Sequence, residues 1–185
     1  MKMNKKEIIR TVIFYAAIGM AFSIILKMIF SFVILRSKVI SGSMEPFLMT
    51  NEIVYANRLA YLKDDIKRGD VIWFNDEDIL EDEPDAIFVK RVIGLPGDRI
   101  SFEDGHVYVN DEMLDESEYI SSDMISVCDK TFCVPEGQFF VLGDNRTKSK
   151  DSRYFEYPFI DRDKVIGKFL AREDFWREME TSINN

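Results

Sequence analysis

Hydrophobic residues concentrate in one long run near the N-terminus, between Arg10 and Lys27. This run, residues 11–26, carries no charged side chain. At 1.5 Å per residue it extends about 24 Å, slightly less than a hydrocarbon core of about 30 Å. The two flanking cations can bridge that deficit by reaching the two membrane surfaces. The pattern predicts a transmembrane anchor over residues 11–26, and the apolar stretch that follows allows an extension to residue 35.

The charges around this run predict its orientation. Four cations precede it: Lys2, Lys5, Lys6 and Arg10. By the positive-inside rule they make residues 1–10 a basic cytoplasmic N-terminus and leave the body on the extracytoplasmic side of the cytoplasmic membrane. A cleaved signal peptide shares the basic start and the apolar run, but no small-x-small cleavage site follows Leu26. An uncleaved, single-pass anchor is therefore favoured.

Beyond Lys38 the pattern changes to short β-type runs separated by turns. The runs cover residues 52–56, 70–74, 87–93, 99–102, 106–109 and 138–142. Turn signals such as Pro96-Gly97-Asp98 separate them. Many short strands at this spacing predict a mainly β fold, with antiparallel coiled sheets in a barrel-like body.

Net charge narrows the choice of partners. The chain of 185 residues has a net charge of −9, yet residues 1–37 carry +5, which leaves −14 on the remainder. An acidic body argues against nucleic acid, which needs a basic face, while the basic end beside an apolar run favours a lipid bilayer. The acidic segment 76–85 lacks the spacing of a calcium loop, so a solvated surface loop is favoured there.

The two cysteines fit an extracytoplasmic body. Cys128 and Cys133 are close enough in sequence for a disulfide across a tight turn, and two free thiols remain equally compatible. The chain supplies too few nearby cysteines and histidines for a four-ligand zinc site, so no metal is predicted.

The chain has a single histidine, His106, in a predicted hairpin turn where a structural or surface role is favoured. A serine-histidine-aspartate triad is therefore not expected, and a serine nucleophile would need another base. Lysine can serve when desolvation lowers its pKa, and Lys90 lies in a strand that is apolar on both sides. Taken singly, Lys90 is more typical of an edge or surface position in a strand, and Ser43 of a flexible turn.

Four short segments, taken in their order along the chain, make the interpretation of Ser43 and Lys90 specific. They are residues 41–46 (SGSMEP), 68–71 (RGDV), 90–98 (KRVIGLPGD) and 143–153 (GDNRTKSKDSR), after one anchor. In this order they closely resemble the bacterial type I signal peptidases, or leader peptidases, of the serine/lysine dyad class. The resemblance runs from the anchor to about Leu170. It implies a membrane-bound serine endopeptidase that removes N-terminal signal peptides from exported precursor proteins, with no metal or organic cofactor.

The resemblance also implies roles by position. Ser43 matches the nucleophile and Lys90 the general base. Ser41 matches the hydroxyl that stabilises the oxyanion together with the Ser43 N–H. Ser149 matches the serine that orients the lysine amine. We therefore expect Lys90 to be buried, with its amine within hydrogen-bond reach of Ser43 and Ser149.

Two further groups follow from the same match. Five residues match shallow apolar pockets that select small residues at positions −1 and −3 of the cleavage site: Val39, Met44, Leu48, Phe88 and Val89. Five match a polar group that supports the site, with an ion pair expected between the first two: Arg91, Asp144, Arg146, Asp151 and Arg153. Two residues depart from the family pattern. Phe47 stands where threonine is usual, and Asn51 where glycine is common, plausibly in a turn that asparagine tolerates.

These assignments divide the chain after its anchor. Residues 37–98 and 139–170 form a catalytic β domain, 99–138 a small inserted second lobe, and 171–185 a C-terminal tail. The expected partners are exported precursors and the lipid bilayer, and a monomer is expected. The alternative is a non-catalytic, membrane-tethered β domain that acts as a receptor or adaptor, in which Lys90 would be exposed.

Overall fold

A computed structural model describes residues 4–75, 86–121 and 124–174. Its first element is a helix, α1 (Lys5–Val33), of 29 residues. Asn4 caps the helix: its side chain accepts from the Lys6 N–H, and the Glu7 side chain accepts from the Asn4 N–H. No helix residue is buried, and α1 is long and apolar enough to cross a membrane.

The helix is longer than the predicted anchor because residues on both sides of the apolar run continue it. Its length of about 44 Å exceeds a hydrocarbon core of about 30 Å, and Arg10 and Lys27 lie within the helix at the two ends of its uncharged stretch. The helix ends where β1 begins, at Ile34. The stretch after Lys27 therefore first completes the helix and then starts a strand.

All strand pairings of the described residues are antiparallel, which confirms the mainly β prediction. In the part of the chain that the structure describes, eleven strands follow the helix: β1 (Ile34–Lys38), β2 (Ile53–Asn57), β3 (Val71–Asn75), β4 (Ile87–Gly94), β5 (Arg99–Glu103), β6 (His106–Val109), β7 (Glu112–Met113), β8 (Phe132–Cys133), β9 (Gln138–Leu142), β10 (Ile160–Asp161) and β11 (Val165–Arg172). The larger sheet has the order β1-β2-β11-β3-β4-β9-β10 and the smaller one β7-β6-β5-β8. The larger sheet carries β4, and the smaller one lies within residues 99–138, the segment that the sequence predicts as an inserted lobe.

The six predicted runs correspond to β2 to β6 and β9, with ends displaced by at most one residue. The central strand β11 was not predicted. Its burial does not alternate, and its pairing with β2 and β3 is irregular, so it lacks the period of two that marks a strand. Because β11 runs to Arg172, two residues assigned to the C-terminal tail belong to the sheet.

One of the buried clusters lies beneath the segment that follows β1. Met44, Leu48 and Trp73 are all at most 1% exposed and pack together with Val54 and Val71. Burial of each large apolar side chain stabilises the fold by about 1.5–3 kcal/mol. This cluster fixes residues 42–48 against the sheet.

Several smaller expectations can be checked. His106 is exposed, as expected, and Asn51 has a φ of +73°, a left-handed conformation that asparagine adopts more readily than most residues. Cys128 and Cys133 are free thiols. The acidic segment 76–85 lies outside the described residues.

Candidate active site

Ser43 lies in a short 3₁₀ turn, Gly42–Met44, between β1 and β2. The turn is anchored from below, because Met44 is buried and its carbonyl accepts from the Leu48 N–H at 2.8 Å. It is held from the side by Asn145, whose N–H donates to the Ser43 carbonyl at 3.1 Å. Ser43 is 9% exposed, so its hydroxyl has a defined position and little contact with water.

Lys90 lies in the middle of β4, where its backbone pairs with Ile72 of β3. Its residue exposure is 4%, and its Nζ donates to Ser43 Oγ at 2.9 Å and to the Val89 carbonyl at 3.1 Å. Burial lowers the pKa of the Lys90 amine to about 8, although the negative charges of Asp151 and Asp144 partly oppose the shift. The expected contact between Lys90 and Ser43 is present.

The two other serines lie close to this pair. The Ser41 hydroxyl donates to Ser43 Oγ at 3.2 Å. Ser149 is buried, but among the described residues its hydroxyl has no hydrogen-bond partner, so the expected contact with the Lys90 amine is not formed. The amine donates to the Val89 carbonyl instead. The Ser149 hydroxyl lies beside Gly143 and near the Ser43 carbonyl, where a side chain on Gly143 would overlap both.

A cleft of about 470 Å³ adjoins Ser43. It is lined by all five residues matched to apolar pockets, Val39, Met44, Leu48, Phe88 and Val89, and by Ser41, Ser43 and Lys90. The sequence match missed six more lining residues: Ser37, Lys38, Ile40, Trp73, Ala86 and Ile87. Most of them directly flank the matched positions in β1 and β4, so extending each matched segment along its strand would have found them.

The predicted ion pair between Arg91 and Asp144 is confirmed. Arg91 donates from Nε and Nη2 to the two carboxylate oxygens of Asp144 at 2.8 and 2.7 Å. Asp144 is fully buried, and this burial raises its pKa while the Arg91 cation opposes the rise. Arg91 Nη1 also donates to the Gly69 carbonyl at 2.9 Å, which ties this pair to the turn before β3.

A second buried ion pair joins Asp151 and Arg153. Arg153 donates from Nε and Nη2 to the carboxylate at 2.8 and 2.9 Å, and Asp151 also accepts from the Gly143 N–H at 3.0 Å. Arg153 Nη2 reaches the Arg146 carbonyl at 2.8 Å. These bonds hold both ends of the loop of residues 143–153.

Arg146 is fully buried and connects this loop to the inserted lobe. Its Nε donates to the Gly143 carbonyl at 3.0 Å, and its Nη1 donates to Glu116 at 2.9 Å. The sequence match did not single out Glu116 or Tyr119, whose ring lies 4.0 Å from the Arg91 guanidinium carbon. Both belong to an irregular segment without a motif, so only the structure reveals their proximity to the site.

The described residues contain no group of three or more histidine, cysteine, aspartate or glutamate side chains that could hold a metal ion. The chemistry available at the site is that of a buried serine hydroxyl beside a buried amine. The amine has neutral hydrogen-bond partners, and the nearby carboxylates are paired with arginines. Such an arrangement can transfer an acyl group to the serine.

Comparisons with known proteins agree with this chemistry. The family described as "Signal peptidase, peptidase S26" matches residues 8–173. A "Signal peptidase IB" of Staphylococcus aureus (strain MRSA252) is 33% identical over 97% of this chain and 95% of its own length. A "Probable signal peptidase I-2" of Synechocystis sp. is 41% identical over 74% of this chain, which spans 60% of that protein. A crystal structure of a signal peptidase I from Enterococcus faecalis V583 is 32% identical and covers 58% of this chain and 98% of its own, with a TM-score of 0.46.

The matched region includes most of the apolar helix, both sheets and the whole Ser43 site. Together with the nearly full-length relative, it establishes the family. The chain therefore belongs to the signal peptidase I family, peptidase S26, whose members are serine peptidases that cleave signal peptides from precursor proteins.

Proposed function

We propose that this signal peptidase I cleaves exported precursors with Ser43 as nucleophile and Lys90 as general base. The observation that carries the proposal is the separation of 2.9 Å between Lys90 Nζ and Ser43 Oγ at a site where both residues are buried. A base must lie within hydrogen-bond reach of the proton it takes and must be unprotonated at the working pH. Lys90 meets the first condition by position and the second through its lowered pKa.

The first half of the reaction forms an acyl-enzyme. The neutral Lys90 amine accepts the proton of the Ser43 hydroxyl while Ser43 Oγ attacks the scissile carbonyl carbon. The developing oxyanion accepts hydrogen bonds from the Ser43 N–H and from the Ser41 hydroxyl, which in the free enzyme is directed at Ser43 Oγ. The Lys90 ammonium then donates its proton to the leaving nitrogen, which becomes the new N-terminus of the mature protein.

The second half releases the signal peptide. Lys90, neutral again, takes a proton from a water molecule that attacks the acyl carbon. The same amine then returns that proton to Ser43 Oγ as the ester bond breaks. We assign to Ser149 the role of orienting the amine in the complex with substrate. In the free enzyme its buried hydroxyl does not contact the amine and has no hydrogen-bond partner among the described residues, so it is available for that contact.

The cleft beside Ser43 accommodates the signal-peptide side of the cleavage site. Residues 37–41 and 86–90 contribute most of its lining from two different parts of the chain. An extended segment between them would place alternate side chains against the apolar residues Met44, Leu48 and Val89. This geometry suits small side chains at positions −1 and −3.

The proposed topology places the N-terminus in the cytoplasm and the catalytic body on the outer side of the membrane. It is supported by the cations that precede the apolar run and by the direct continuation of α1 into β1. The nucleophile follows the end of the helix by about ten residues, so it works near the outer surface. A precursor held by its own apolar segment is then restricted to the same membrane, which raises its effective concentration.

The test of the dyad uses Ser43→Ala in the full-length enzyme, with cleavage of a precursor that carries an Ala-x-Ala site. Loss of the nucleophile should lower turnover by at least about 10⁴-fold. Ser101→Ala, in β5 of the inserted lobe, serves as the matched control and should stay within about twofold of the unsubstituted enzyme. A Ser43→Ala variant with ordinary turnover would overturn the proposal.

The pH profile of single-turnover cleavage gives an independent test of Lys90. With a pKa of about 8, about a tenth of the amine is neutral at pH 7, compared with about 0.03% for an ordinary lysine. Activity should therefore rise with pH through about pH 8 and level off above it. A profile that is flat between pH 6 and 9 would contradict the assignment.

The chain's own cysteines can test the topology. Cys133 is exposed, so a membrane-impermeant maleimide should label it in intact protoplasts if the body is outside. Cys133→Ser is the control for labelling of Cys128. Labelling that requires lysis of the protoplasts would reverse the proposed orientation.

We also propose that the enzyme acts as a monomer, because the described dyad and cleft are formed by one chain. Light scattering of the detergent-solubilised protein should give the mass of one chain. The receptor or adaptor alternative required an exposed Lys90, and its 4% exposure disfavours that reading.

A further inference from the structure

The inserted lobe packs on the catalytic body mainly through an apolar cluster, in which Phe132 lies 4.7 Å from Phe140. A short turn of the lobe, residues 115–120, adds polar contacts beside the site, and we call it the lobe turn. Within it, the Glu116 carbonyl accepts from the Tyr119 N–H at 3.1 Å and from the Ile120 N–H at 3.0 Å. The Tyr119 hydroxyl donates to Glu116 Oε1 at 2.9 Å. These bonds hold the Glu116 and Tyr119 side chains together on one side of the turn.

The Glu116 side chain is directed at the catalytic body and is 12% exposed. Arg146 donates to both of its carboxylate oxygens, at 2.5 Å from Nη2 and 2.9 Å from Nη1. Arg146 is itself fully buried, and Glu116 is the carboxylate with which it forms an ion pair. Arg146 Nη1 also donates to the Ser126 hydroxyl at 2.5 Å, which is neutral. Loss of the only charged partner of a buried guanidinium among the described residues is strongly unfavourable, so Glu116 is a main restraint on the position of Arg146.

The position of Arg146 in turn affects the backbone that contacts Ser43. Its Nε donates to the Gly143 carbonyl at 3.0 Å, and the loop of residues 143–145 ends at the Asn145 N–H that donates to the Ser43 carbonyl. Each contact in this series is a hydrogen bond between buried groups. A displacement of Arg146 would therefore move the backbone that holds the Ser43 turn.

Tyr119 acts on the other arginine of the site. Its ring lies 4.0 Å from the Arg91 guanidinium carbon, and Arg91 in turn holds Asp144 with two hydrogen bonds. Stacking of an arginine on an aromatic ring is a favourable contact that also limits the rotation of the guanidinium. The lobe turn therefore restrains both arginines that hold the loop of residues 143–145, Arg91 through Tyr119 and Arg146 through Glu116.

We propose that Glu116 and Tyr119 are positioning residues, which hold Arg146 and Arg91 and thereby set the loop of residues 143–145 against the Ser43 turn. The inserted lobe then acts on catalysis through this turn, although none of its described residues lines the cleft beside Ser43. The inference rests on the proposed role of Ser43.

The test measures kcat and KM separately for Glu116→Gln in the full-length enzyme. Glutamine keeps the shape of the side chain but removes the charge that Arg146 requires. A displacement of about 1 Å at a catalytic group can lower the rate by about 10²-fold, so we expect kcat to fall about 10- to 100-fold while KM stays within about twofold. Glu118→Gln, an exposed neighbour in the same turn, is the matched control and should leave both constants unchanged.

Tyr119 supplies a second pair of variants in case Glu116→Gln does not fold. Tyr119→Phe keeps the ring over Arg91 and should retain kcat within about threefold. Tyr119→Leu removes the ring and should lower kcat about tenfold with KM unchanged. The contrast between these two variants separates stacking on Arg91 from a general need for a tyrosine.

Near-ultraviolet circular dichroism at the assay temperature gives the folded fraction of each variant. The proposal is overturned if Glu116→Gln and Tyr119→Leu keep kcat within about twofold, or if each loss equals the loss of folded protein. Ser43→Ala in the same assay separates the two ideas. If it retains turnover, the nucleophile assignment fails. If it alone loses turnover, only the role of the lobe turn fails.

Discussion

Strand β4 buries one cation on each of its two faces, and the two cations have different kinds of hydrogen-bond partner. Lys90 and Arg91 are consecutive, so their side chains leave the strand on opposite faces, and both are less than 10% exposed. Among the described residues, Lys90 donates only to the neutral oxygens of Ser43 and Val89. Arg91 donates twice to the Asp144 carboxylate.

This difference in partners makes one cation easy to deprotonate and makes the other a fixed structural contact. A buried amine without a carboxylate in contact is easily deprotonated, which a general base requires. A buried guanidinium paired with a carboxylate stays charged and fixes the groups around it. The same strand therefore provides a reactive face, with Lys90, and a structural face, with Arg91 and the loop of residues 143–153.

The largest expected effect comes from removing the reactive cation. Lys90→Met should lower turnover by at least about 10⁴-fold, because Lys90 is the base that contacts the Ser43 hydroxyl in the part of the chain that the structure describes. Lys90→Arg should be equally inactive, since a guanidinium keeps its proton at any working pH. Single-turnover cleavage of a precursor measures both, with Lys130→Met, at an exposed lysine, as the control. Appreciable activity in Lys90→Arg would show that proton removal by residue 90 is not required.

The structural face should respond mainly in stability. Asp144→Asn leaves the Arg91 charge buried without its partner, and such a change lowers the free energy of unfolding by about 3–5 kcal/mol. The surface pair of Asp65 and Arg162 offers a matched control, because Asp65 is 96% exposed. Asp65→Asn should cost less than about 1 kcal/mol. Urea unfolding in detergent measures both values, and equal costs would contradict the distinction between buried and surface pairs.

On the reactive face, removal of the buried charge should raise the free energy of unfolding instead of lowering it. The pKa of Lys90 is about 8 in the folded protein and has an ordinary value of 10.5 in the unfolded chain. Below pH 8 burial of this amine therefore costs about 3 kcal/mol, and the cost disappears as pH rises from 8 to 10.5. Lys90→Met should be more stable than the unsubstituted protein by about that amount at pH 7.

Urea unfolding at pH 7 and well above pH 10.5 checks this prediction. The advantage of Lys90→Met should vanish at the higher pH, where the amine is neutral in both states. Lys130→Met should show no advantage at either pH. A Lys90→Met protein that is less stable at pH 7 would mean that the amine is a net stabilising group.

The reactive face was predictable from the sequence to a large extent. The family resemblance located Ser43, Lys90 and five of the residues that line the cleft, because each short motif fixes residues that are adjacent in the chain, although Ser43 and Lys90 themselves belong to two separate motifs. Six strands were also located, since each alternates or is uniformly apolar. The contact expected between Ser149 and Lys90 is absent, because a motif specifies which residues are near the site but not which acceptor an amine selects.

The structural face was less predictable, for physical reasons that particular residues show. The pairing of Arg91 with Asp144 was expected from the two motifs, whereas the contact of Glu116 with Arg146 joins segments that share no local pattern. Strand β11 was missed because its bulged pairing breaks the alternation of buried and exposed residues. Long-range contacts and irregular strands depend on the whole fold.

The smallest expected effect concerns Phe47, which departs from the family pattern beside the nucleophile. Its ring packs against Phe169 at 5.1 Å and lies 4.9 Å from the Arg91 guanidinium carbon, on the structural side and not in the substrate cleft. Phe47→Thr should therefore lower the free energy of unfolding by about 1–2 kcal/mol through lost apolar and aromatic contacts.

Turnover of Phe47→Thr should stay within about threefold, because Arg91 keeps Asp144, the Gly69 carbonyl and the Tyr119 ring. Phe47→Leu is the matched variant: it retains apolar volume but not the ring, so it separates apolar packing from the contact with Arg91. Urea unfolding and single-turnover cleavage measure the two effects. A large loss of turnover without a loss of stability would place Phe47 on the reactive face, and the division of β4 into two faces would then be wrong at this residue.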